Sequence, residues 1–272
     1  MENERGRRMN ITLDDVGSIN SADLDISRIN VVGGANSSGK SIVSKLLYCY
    51  LKSEMDDESL DYLMDSEGLS NLKDCNISFK SNSRISEVFY IDSISILDLK
   101  DLDILRVDHI VHIKEALEIE ASSSKPSIIR DILKNDCKNL SSAGIKQIGI
   151  LEILLQNGSL KENTFLIIDE PESNLHPEWQ IRFAQILISL AKELNIHIYL
   201  NSHSPMFIEA ISLYAQYYDL LNETSFYLAQ RQTDGKYNFK KISPTDMGEV
   251  YENLTKPYDE LDRIKAEILF KG

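Results

Sequence analysis

The chain has few of the residues that mark secreted, zinc-binding or membrane proteins. Only three of its 272 residues are cysteines, and Cys49, Cys75 and Cys137 lie far apart with no Cys-x-x-Cys pair. This spacing disfavours a zinc site and a disulfide framework, and it fits a reducing compartment. No apolar run has the length of a membrane span, and the first residues lack the apolar core of a signal peptide. We therefore expect a cytoplasmic protein without a membrane partner.

Positive charge is also scarce in this sequence. The chain has 43 acidic and 29 basic residues, which gives a net charge of −14. It therefore has no overall attraction to nucleic acid or anionic lipid, although a local basic patch is compatible with this total. The hydrophobic content of 42% supports one sizeable core or two modest ones, and one domain spanning residues 1–272 is the simpler interpretation.

The segment Gly34-Ala35-Asn36-Ser37-Ser38-Gly39-Lys40-Ser41 fits the phosphate-loop pattern. It follows the apolar run 29–32, and apolar residues recur at helical spacing from Val43 onward, so strand, loop and helix come in the required order. Such a loop points backbone N–H groups at phosphate, its lysine reaches the β- and γ-phosphates, and its last serine offers a hydroxyl to Mg²⁺. The predicted nucleotide-binding residues are Gly34, Asn36, Ser37, Ser38, Gly39, Lys40, Ser41 and Ile42.

The remaining pattern predicts an α/β fold with a sheet between helices. Residues 53–140 are the least informative part, and we interpret them as a mostly helical insertion that contains one clear strand. A hairpin followed by helices is predicted for residues 225–272. In chain order, strands are predicted at 11–13, 24–26, 29–32, 88–91, 165–168, 196–200, 226–230 and 236–242, and helices at 145–155 and 179–194.

A second chemical centre follows the uninterrupted apolar run Phe165-Leu166-Ile167-Ile168. Such a run is typical of a central parallel strand that delivers carboxylates at its C-terminal end. Asp169 is in the position at which phosphate-loop enzymes hold Mg²⁺, and Glu170 can orient and deprotonate the water that attacks the γ-phosphate. An isolated Asp-Glu pair is as often a turn or a helix cap. The phosphate loop upstream favours the catalytic interpretation.

His203 is a candidate because of the strand that precedes it. It lies in Asn201-Ser202-His203-Ser204-Pro205, just after the strand predicted at 196–200. In doubly wound sheets ligands gather at the carboxyl ends of the strands, so His203 is expected at the same edge as Lys40 and Asp169. A lone loop histidine usually has no function. The predicted catalytic residues are Glu170, His203 and Lys40.

These segments together resemble the Walker A, Walker B with D-loop, and switch-histidine motifs of ABC-class ATPases. The motifs are carried by residues 34–41, by Phe165-Leu166-Ile167-Ile168-Asp169-Glu170-Pro171-Glu172-Ser173-Asn174-Leu175-His176-Pro177, and by residues 201–205. Within that class the pattern resembles SMC-like and OLD-like AAA ATPases of prokaryotes, because His176-Pro177 stands where ABC transporters usually carry an aspartate. The resemblance implies a P-loop NTPase fold with an ABC/SMC-head-like sheet, and ATP and Mg²⁺ as cofactors.

The segment Ser141-Ser142-Ala143-Gly144-Ile145-Lys146-Gln147 is similar to the signature motif of the same family. In that family the serine and the amides after it bind the γ-phosphate of the ATP that the other subunit holds. The resemblance therefore implies a homodimer in which Ser142 and Gly144 contact the partner's ATP. Ala143 replaces a usual glycine, and by itself the segment reads as a helix N-cap at Ser141 or Ser142.

One family feature is missing. No glutamine occurs between Lys40 and Gln147, so the Q-loop glutamine that contacts Mg²⁺ in many relatives has no counterpart. Either another polar residue near 91–93 takes that role, or Mg²⁺ is held by Ser41, Asp169 and water alone.

The leading hypothesis is an ATP-hydrolysing switch that forms an ATP-sandwich dimer and controls a separate effector protein. A prokaryotic defence or toxin system, such as antiphage defence, is implied by the resemblance alone. The alternative is an SMC-like repair head that binds DNA, but the gap between the phosphate loop and the signature is too short for coiled-coil arms, and the net charge is acidic. A transporter subunit is disfavoured by the missing glutamine, and a GTPase by the absence of Asn-Lys-x-Asp or Thr-Lys-x-Asp.

Overall fold

The computed structural model describes residues 9–92, 108–120, 128–133, 142–173, 175–244 and 247–271. Within them a nine-stranded sheet runs in the order β4-β1-β2-β9-β8-β3-β7-β6-β5. The strands are β1 (Met9–Val16), β2 (Ile19–Ile26), β3 (Ile29–Gly34), β4 (Asn76–Ser81), β5 (Glu87–Ile91), β6 (Thr164–Asp169), β7 (His197–Ser202), β8 (Thr224–Arg231) and β9 (Tyr237–Ile242).

Half of this sheet is parallel, and that half positions the candidate site. β3 pairs in parallel with both β8 and β7, β7 with β6, and β6 with β5. The C-terminal ends of β3, β6 and β7 therefore meet at one edge, as ligand sites of such sheets require. On the other side, β1 pairs antiparallel with β2 and β4, while β9 pairs antiparallel with β8 and parallel with β2.

Helices cover the sheet. They are α1 (Lys40–Asp56), α2 (Leu60–Ser66), α3 (Asp108–Glu118), α4 (Ile128–Leu133), α5 (Ser142–Gln156), α6 (Pro177–Leu194), α7 (Pro205–Tyr217), α8 (Gly248–Thr255) and α9 (Pro257–Lys271). Their ends follow local chemistry: Pro177 and Pro205 stand in the first turns of α6 and α7, and Asn195 ends α6 in the left-handed conformation.

Two apolar clusters form the core, one on each face of the sheet. Alternate residues of the central strands point to opposite clusters. In β6, for example, Leu166 and Ile168 belong to the cluster that includes α6 and α7, whereas Phe165 and Ile167 belong to the cluster that includes α1. Every residue of β3 and β6 is buried. This explains why these strands read as continuous apolar runs.

The predicted α/β fold of the P-loop NTPase type is confirmed, and the predicted strands and helices correspond to described elements. We did not predict β4 from the sequence. It lies at the sheet edge, and its residues 76–81 alternate between exposed polar side chains and partly buried ones. Within residues 53–140, β4 and β5 belong to the main sheet. Among the described residues of this interval, the predicted helical insertion would therefore consist of α2, α3 and α4. The division of the chain into insertion and C-terminal segment stays a prediction.

None of the helices in the described residues is long and apolar enough to cross a membrane.

Candidate functional site

The phosphate loop connects β3 to α1 and depends on glycine at two close approaches. Gly39, the N-cap of α1, has φ 94°, and a Cβ there would lie 2.5 Å from Cγ1 of Ile19. A Cβ at Gly34 would lie 2.8 Å from the Cβ of Ala229 on β8. At Gly39 both the positive φ and the contact with Ile19 exclude a side chain, and at Gly34 the contact with Ala229 excludes one. The loop backbone is thereby packed against β2 and β8.

The ammonium group of Lys40 lies inside this loop. Its Nζ donates to the carbonyl oxygens of Gly34 and Ala35, both at 2.9 Å, and to Oγ of Ser38 at 3.4 Å. The side chain is only 4% exposed. Burial lowers the pKa of Lys40 to about 8, although the carboxylates of Asp169 and Glu170 oppose this shift.

Asp169 ends β6 at the same edge and is 7% exposed. Its Oδ1 accepts a hydrogen bond from Nδ2 of Asn201 at 2.9 Å, and its Oδ2 accepts one from the hydroxyl of Tyr90 at 3.3 Å. Asn201, on β7, also contacts Oγ of Ser44 on α1 at 2.5 Å. The carboxylate is therefore fixed from both neighbouring strands, and Asn201 ties it to the helix that follows the phosphate loop.

Glu170 and His203 form a direct pair. Nε2 of His203 lies 2.7 Å from Oε1 of Glu170, and Ser173 donates to Oε2 of Glu170 at 3.0 Å. Although burial by itself raises the pKa of Glu170, these hydrogen bonds outweigh it and leave the pKa below its usual value. Nδ1 of His203 lies 2.6 Å from the carbonyl oxygen of Gly34. The imidazole ring therefore bridges the phosphate loop and Glu170.

Glu172 holds the backbone of the segment that carries His203. Its Oε1 accepts from Oγ of Ser202 at 2.7 Å, from the backbone N–H of His203 at 2.7 Å and from that of Ser204 at 3.1 Å. The residue is 8% exposed, and its Oε2 is buried without a hydrogen-bond partner. Burial raises the pKa of Glu172, although the hydrogen bonds oppose it.

The structure brings the predicted residues of three segments to one cleft of about 400 Å³. Asp169 is not among the lining residues, although Asn201 joins it to Ser44 on the helix that follows the phosphate loop. The lining residues are Ser18, Asn36, Ser37, Ser38, Gly39, Lys40, Ser41, Ile42, Glu170 and His203.

The signature motif lies only partly within the description. Ser142 is the first residue of α5, as expected for a helix start at this segment, and Gly144 lies in its first turn. The side chains of 142–145 are outside the description, as are Ser141 of the signature and Asn174 of the D-loop. The trans contacts of Ser142 and Gly144 stay predictions.

The oxygen donors at the edge fit Mg²⁺. Ser41 offers an exposed hydroxyl at the start of α1, Asp169 offers a carboxylate, and Oδ1 of Asn201 is buried without a hydrogen-bond partner. Mg²⁺ is commonly bound by one or two protein oxygens together with water and substrate phosphates. The described residues contain no cluster of three or more His, Cys, Asp or Glu side chains suited to a metal.

Asp92 is the described residue nearest in sequence to the expected Q-loop position. It directly follows β5, and its Oδ2 lies 3.6 Å from Nε2 of His109 on α3. Ser93 lies outside the described residues. A role for Asp92 toward Mg²⁺ stays a prediction.

Sequence reasoning missed three residues that shape the site. Tyr90 and Asn201 hold Asp169, and Glu172 holds the His203 segment. Asn201 and Glu172 lie inside the motif segments, so the signal for them was their position next to residues already singled out. Tyr90 lies within a buried apolar strand, and nothing in the sequence separates its hydroxyl from an ordinary core tyrosine.

The sheet order and the glycine-rich loop between β3 and α1 give the chain an α/β fold of the P-loop NTPase type. Residues 89–209 match the family model described as "AAA domain, putative AbiEii toxin, Type IV TA system". The matched part is under half of the chain. It contains Asp169, Glu170 and His203 but not the phosphate loop. This match confirms the AAA part of the predicted resemblance, whereas its OLD-like part stays a prediction.

Solved structures similar to this chain include an SMC head domain from Thermotoga maritima, with 14% identity, a TM-score of 0.46, and coverage of 87% of this chain and 99% of that chain. Another is cbiO1 from Clostridium perfringens, part of the ABC transporter complex cbiONQ, with 15% identity, a TM-score of 0.45, and coverage of 95% and 98%. A third is MJ1267, an ATP-binding cassette of an ABC transporter in its ADP conformation, with 11% identity, a TM-score of 0.46, and coverage of 93% and 96%. No curated protein matches the chain.

Proposed function

We propose that this protein is a Mg²⁺-dependent ATPase that forms an ATP-sandwich dimer and controls a separate effector protein. The observation that carries the hydrolytic part is the shared cleft: Lys40 of the phosphate loop, Glu170 after β6 and His203 after β7 all line it. A cation, a carboxylate and a second hydrogen-bond donor in one water-accessible cleft can bind a phosphate chain and activate water.

In this arrangement Lys40 supplies the charge that binds phosphate. Its ammonium is bound to two loop carbonyl oxygens, and phosphate oxygens are stronger, anionic acceptors. ATP would therefore draw Lys40 from the carbonyls toward the β- and γ-phosphates. Ser41 and Asp169 would hold Mg²⁺, which supplies positive charge at the transferred phosphoryl group when bound.

Glu170 is the proposed general base. With its pKa below the usual value it is a carboxylate at neutral pH, and it can accept a proton from the water that attacks the γ-phosphorus. The bond between the γ-phosphorus and the bridging oxygen breaks as the new bond forms, and ADP and phosphate leave. His203 now occupies Oε1 of Glu170. It must turn one N–H toward the γ-phosphate to free this oxygen for water.

The proposed dimer and the proposed control of an effector are supported by observations outside the cleft. Ser142 is the first residue of α5, and the resemblance to the signature motif assigns it a contact with ATP held by the other subunit. The matched family's description names a toxin and a toxin–antitoxin system, which supports a role in a prokaryotic defence or toxin pair. Pull-down of the native protein would identify the effector. The cytoplasmic location stays a prediction.

Replacement of the proposed base tests the hydrolytic function. Glu170→Gln keeps the shape of the side chain but cannot accept the proton, so we expect kcat for ATP hydrolysis to fall by about a hundredfold or more while ATP binding is kept. Phosphate release and equilibrium binding of a fluorescent ATP analogue would measure the two effects. The variant should also accumulate an ATP-bound dimer in sedimentation velocity.

Glu178→Gln is a matched control. It makes the same chemical change at Glu178, which is exposed in the first turn of α6. It should leave hydrolysis unchanged. A wild-type protein without ATPase activity, or a Glu170→Gln variant with the wild-type rate, would contradict the proposal. Salt-sensitive binding of the wild type to duplex DNA would instead favour the alternative of an SMC-like repair head.

A further inference from the structure

The segment from 202 to 204, which carries His203 out of β7, is bound at three points by one buried carboxyl oxygen. Oε1 of Glu172 accepts three hydrogen bonds, from Oγ of Ser202 and from the backbone N–H groups of His203 and Ser204. Ser204 has a second acceptor in Oγ of Ser202, at 3.1 Å. For the N–H of His203, the contact with Glu172 at 2.7 Å is the hydrogen bond that fixes it.

The ring of the same histidine bridges two parts of the cleft. Nδ1 reaches the carbonyl oxygen of Gly34 in the phosphate loop at 2.6 Å, and Nε2 reaches Glu170 at 2.7 Å. A shift of the His203 backbone would therefore change both contacts at once. Glu172 does not line the cleft, and its hydrogen bonds reach the cleft through His203.

We propose that Glu172 is a positioning residue for hydrolysis, which sets the place of His203 and thereby of Glu170. This inference rests on the proposed ATPase function. Glu172 lies two residues after Glu170 on the same turn, so one short segment supplies both the base and the acceptor that orients the histidine opposite it. A purely structural carboxylate would stabilise the fold without this link to the chemistry.

The buried environment of Glu172 indicates which substitution preserves its role. All three hydrogen bonds to the 202–204 segment end on Oε1, whereas Oε2 is buried without a hydrogen-bond partner, so one acceptor oxygen makes these contacts. Glutamine retains that oxygen at the same distance from the backbone. Alanine removes it and leaves the N–H of His203 buried without an acceptor.

The test compares Glu172→Ala, Glu172→Gln and His203→Ala in steady-state ATP hydrolysis. We expect Glu172→Ala to lower kcat by about a hundredfold, as misplacement of a catalytic group does, with a smaller change in KM because Lys40 and the loop are untouched. Glu172→Gln should recover most of the rate. In the His203→Ala background, Glu172→Ala should cause no further loss, since its effect passes through His203.

Asn30→Ala is the control for a loss of stability alone. Asn30 is fully buried, and its side chain bonds to the backbone of Ser27 and Ile198 at the opposite end of β3. It should lower Tm but keep kcat. If Glu172→Ala does not fold, Glu172→Asp replaces it, because the shorter side chain draws the acceptor away from the N–H of His203 and should also lower kcat.

The outcomes separate this inference from the proposed function. Wild-type kcat in Glu172→Ala, or in Glu172→Asp where that replaces it, would overturn the inference while His203→Ala still lowers kcat. Losses that multiply in the double variant would overturn it too, because Glu172 would then act independently of His203. A wild-type protein that does not hydrolyse ATP contradicts the proposed function itself.

Discussion

At the scale of single residues, the ligand-free cleft holds its cation and its base in hydrogen bonds with protein groups. Lys40 and Nδ1 of His203 share the carbonyl oxygen of Gly34 and lie 3.3 Å apart. Both nitrogens are therefore grouped around one carbonyl oxygen at the entrance of the phosphate loop. Phosphate oxygens would offer Lys40 stronger, anionic acceptors in place of this carbonyl.

The pKa of Lys40 predicts a pH dependence of nucleotide binding. Because the ligand-free pKa is lowered to about 8, the ammonium form is lost as pH rises through that value. Phosphate contacts favour the charged form, so binding takes up a proton above this pH. We expect the affinity for ATP to fall roughly fivefold between about pH 8 and about pH 9. Titration calorimetry in buffers of different ionisation enthalpy would measure both the affinity and the proton uptake.

Lys40→Arg is the matched control for this measurement. The guanidinium stays charged over the whole range, so the affinity of this variant, although weaker, should not change with pH. A wild-type affinity that is equally flat would show that the ammonium of Lys40 is not lost near pH 8 in the free protein.

At the scale of elements, the site is assembled from the ends of three parallel strands and the helices that follow them. β3 leads into the phosphate loop and α1, β6 ends at Asp169, and β7 leads through His203 into α7. Ser204 caps α7 by accepting a hydrogen bond from the N–H of Phe207 at 3.2 Å. The histidine segment is therefore fixed at both ends, by Glu172 before the helix and by the cap at its start.

The last helix contributes little to the core. On α9, the apolar residues Leu261, Ile268 and Phe270 are 50%, 65% and 91% exposed. By contrast, Val250 on α8 is 2% exposed and belongs to the apolar cluster under α7. We expect a chain that ends at Lys256 to keep the Tm of the full chain within a few degrees, because little apolar area is lost. Differential scanning calorimetry would measure it.

A chain that ends before α8 provides the comparison. It loses Val250 from the core and exposes the surface beneath it, so its Tm should fall clearly below that of the chain ending at Lys256. Equal losses in both truncations would show that α9 stabilises the fold after all.

At the scale of the whole molecule, the cleft is lined by the phosphate loop, Glu170 and His203. The side chains of 142–145, which carry the predicted signature contacts, are outside the described residues. Within the proposed dimer, Ser142 at the start of α5 would close the cleft of the partner subunit. The net charge of −14 opposes association of two copies, so we expect dimer formation to increase with ionic strength.

A bulky side chain at the signature position tests this closure. In the Glu170→Gln background, Ser142→Arg should abolish the ATP-dependent dimer in sedimentation velocity but keep binding of ATP by the monomer, because the phosphate loop acts in cis. Ser78→Arg is the control, since Ser78 is exposed on the edge strand β4. A dimer that persists in Ser142→Arg would place the interface elsewhere.

The predictable part of the protein followed from local pattern. The apolar runs before Gly34 and Asp169 could be read as buried parallel strands, because residues with neighbours on both faces of a sheet have no need of polar alternation. The edge strand β4 was missed since its polar, half-exposed residues at 76–81 resemble a loop. Tyr90 was missed because a hydroxyl inside an apolar strand shows its partner only in three dimensions.

The sequence by itself determined the chemical groups: a glycine-rich loop with Lys40 and Ser41, carboxylates at Asp169 and Glu170, and His203 after the next strand. These groups lie in short motifs, and within a short motif the number of residues between two groups determines how far apart they lie. The tertiary structure decided how they are held. The contacts of Glu172 with the His203 segment and of Asn201 with Asp169 and Ser44 join residues distant in sequence. Strand order and register set such contacts, and no local pattern encodes them.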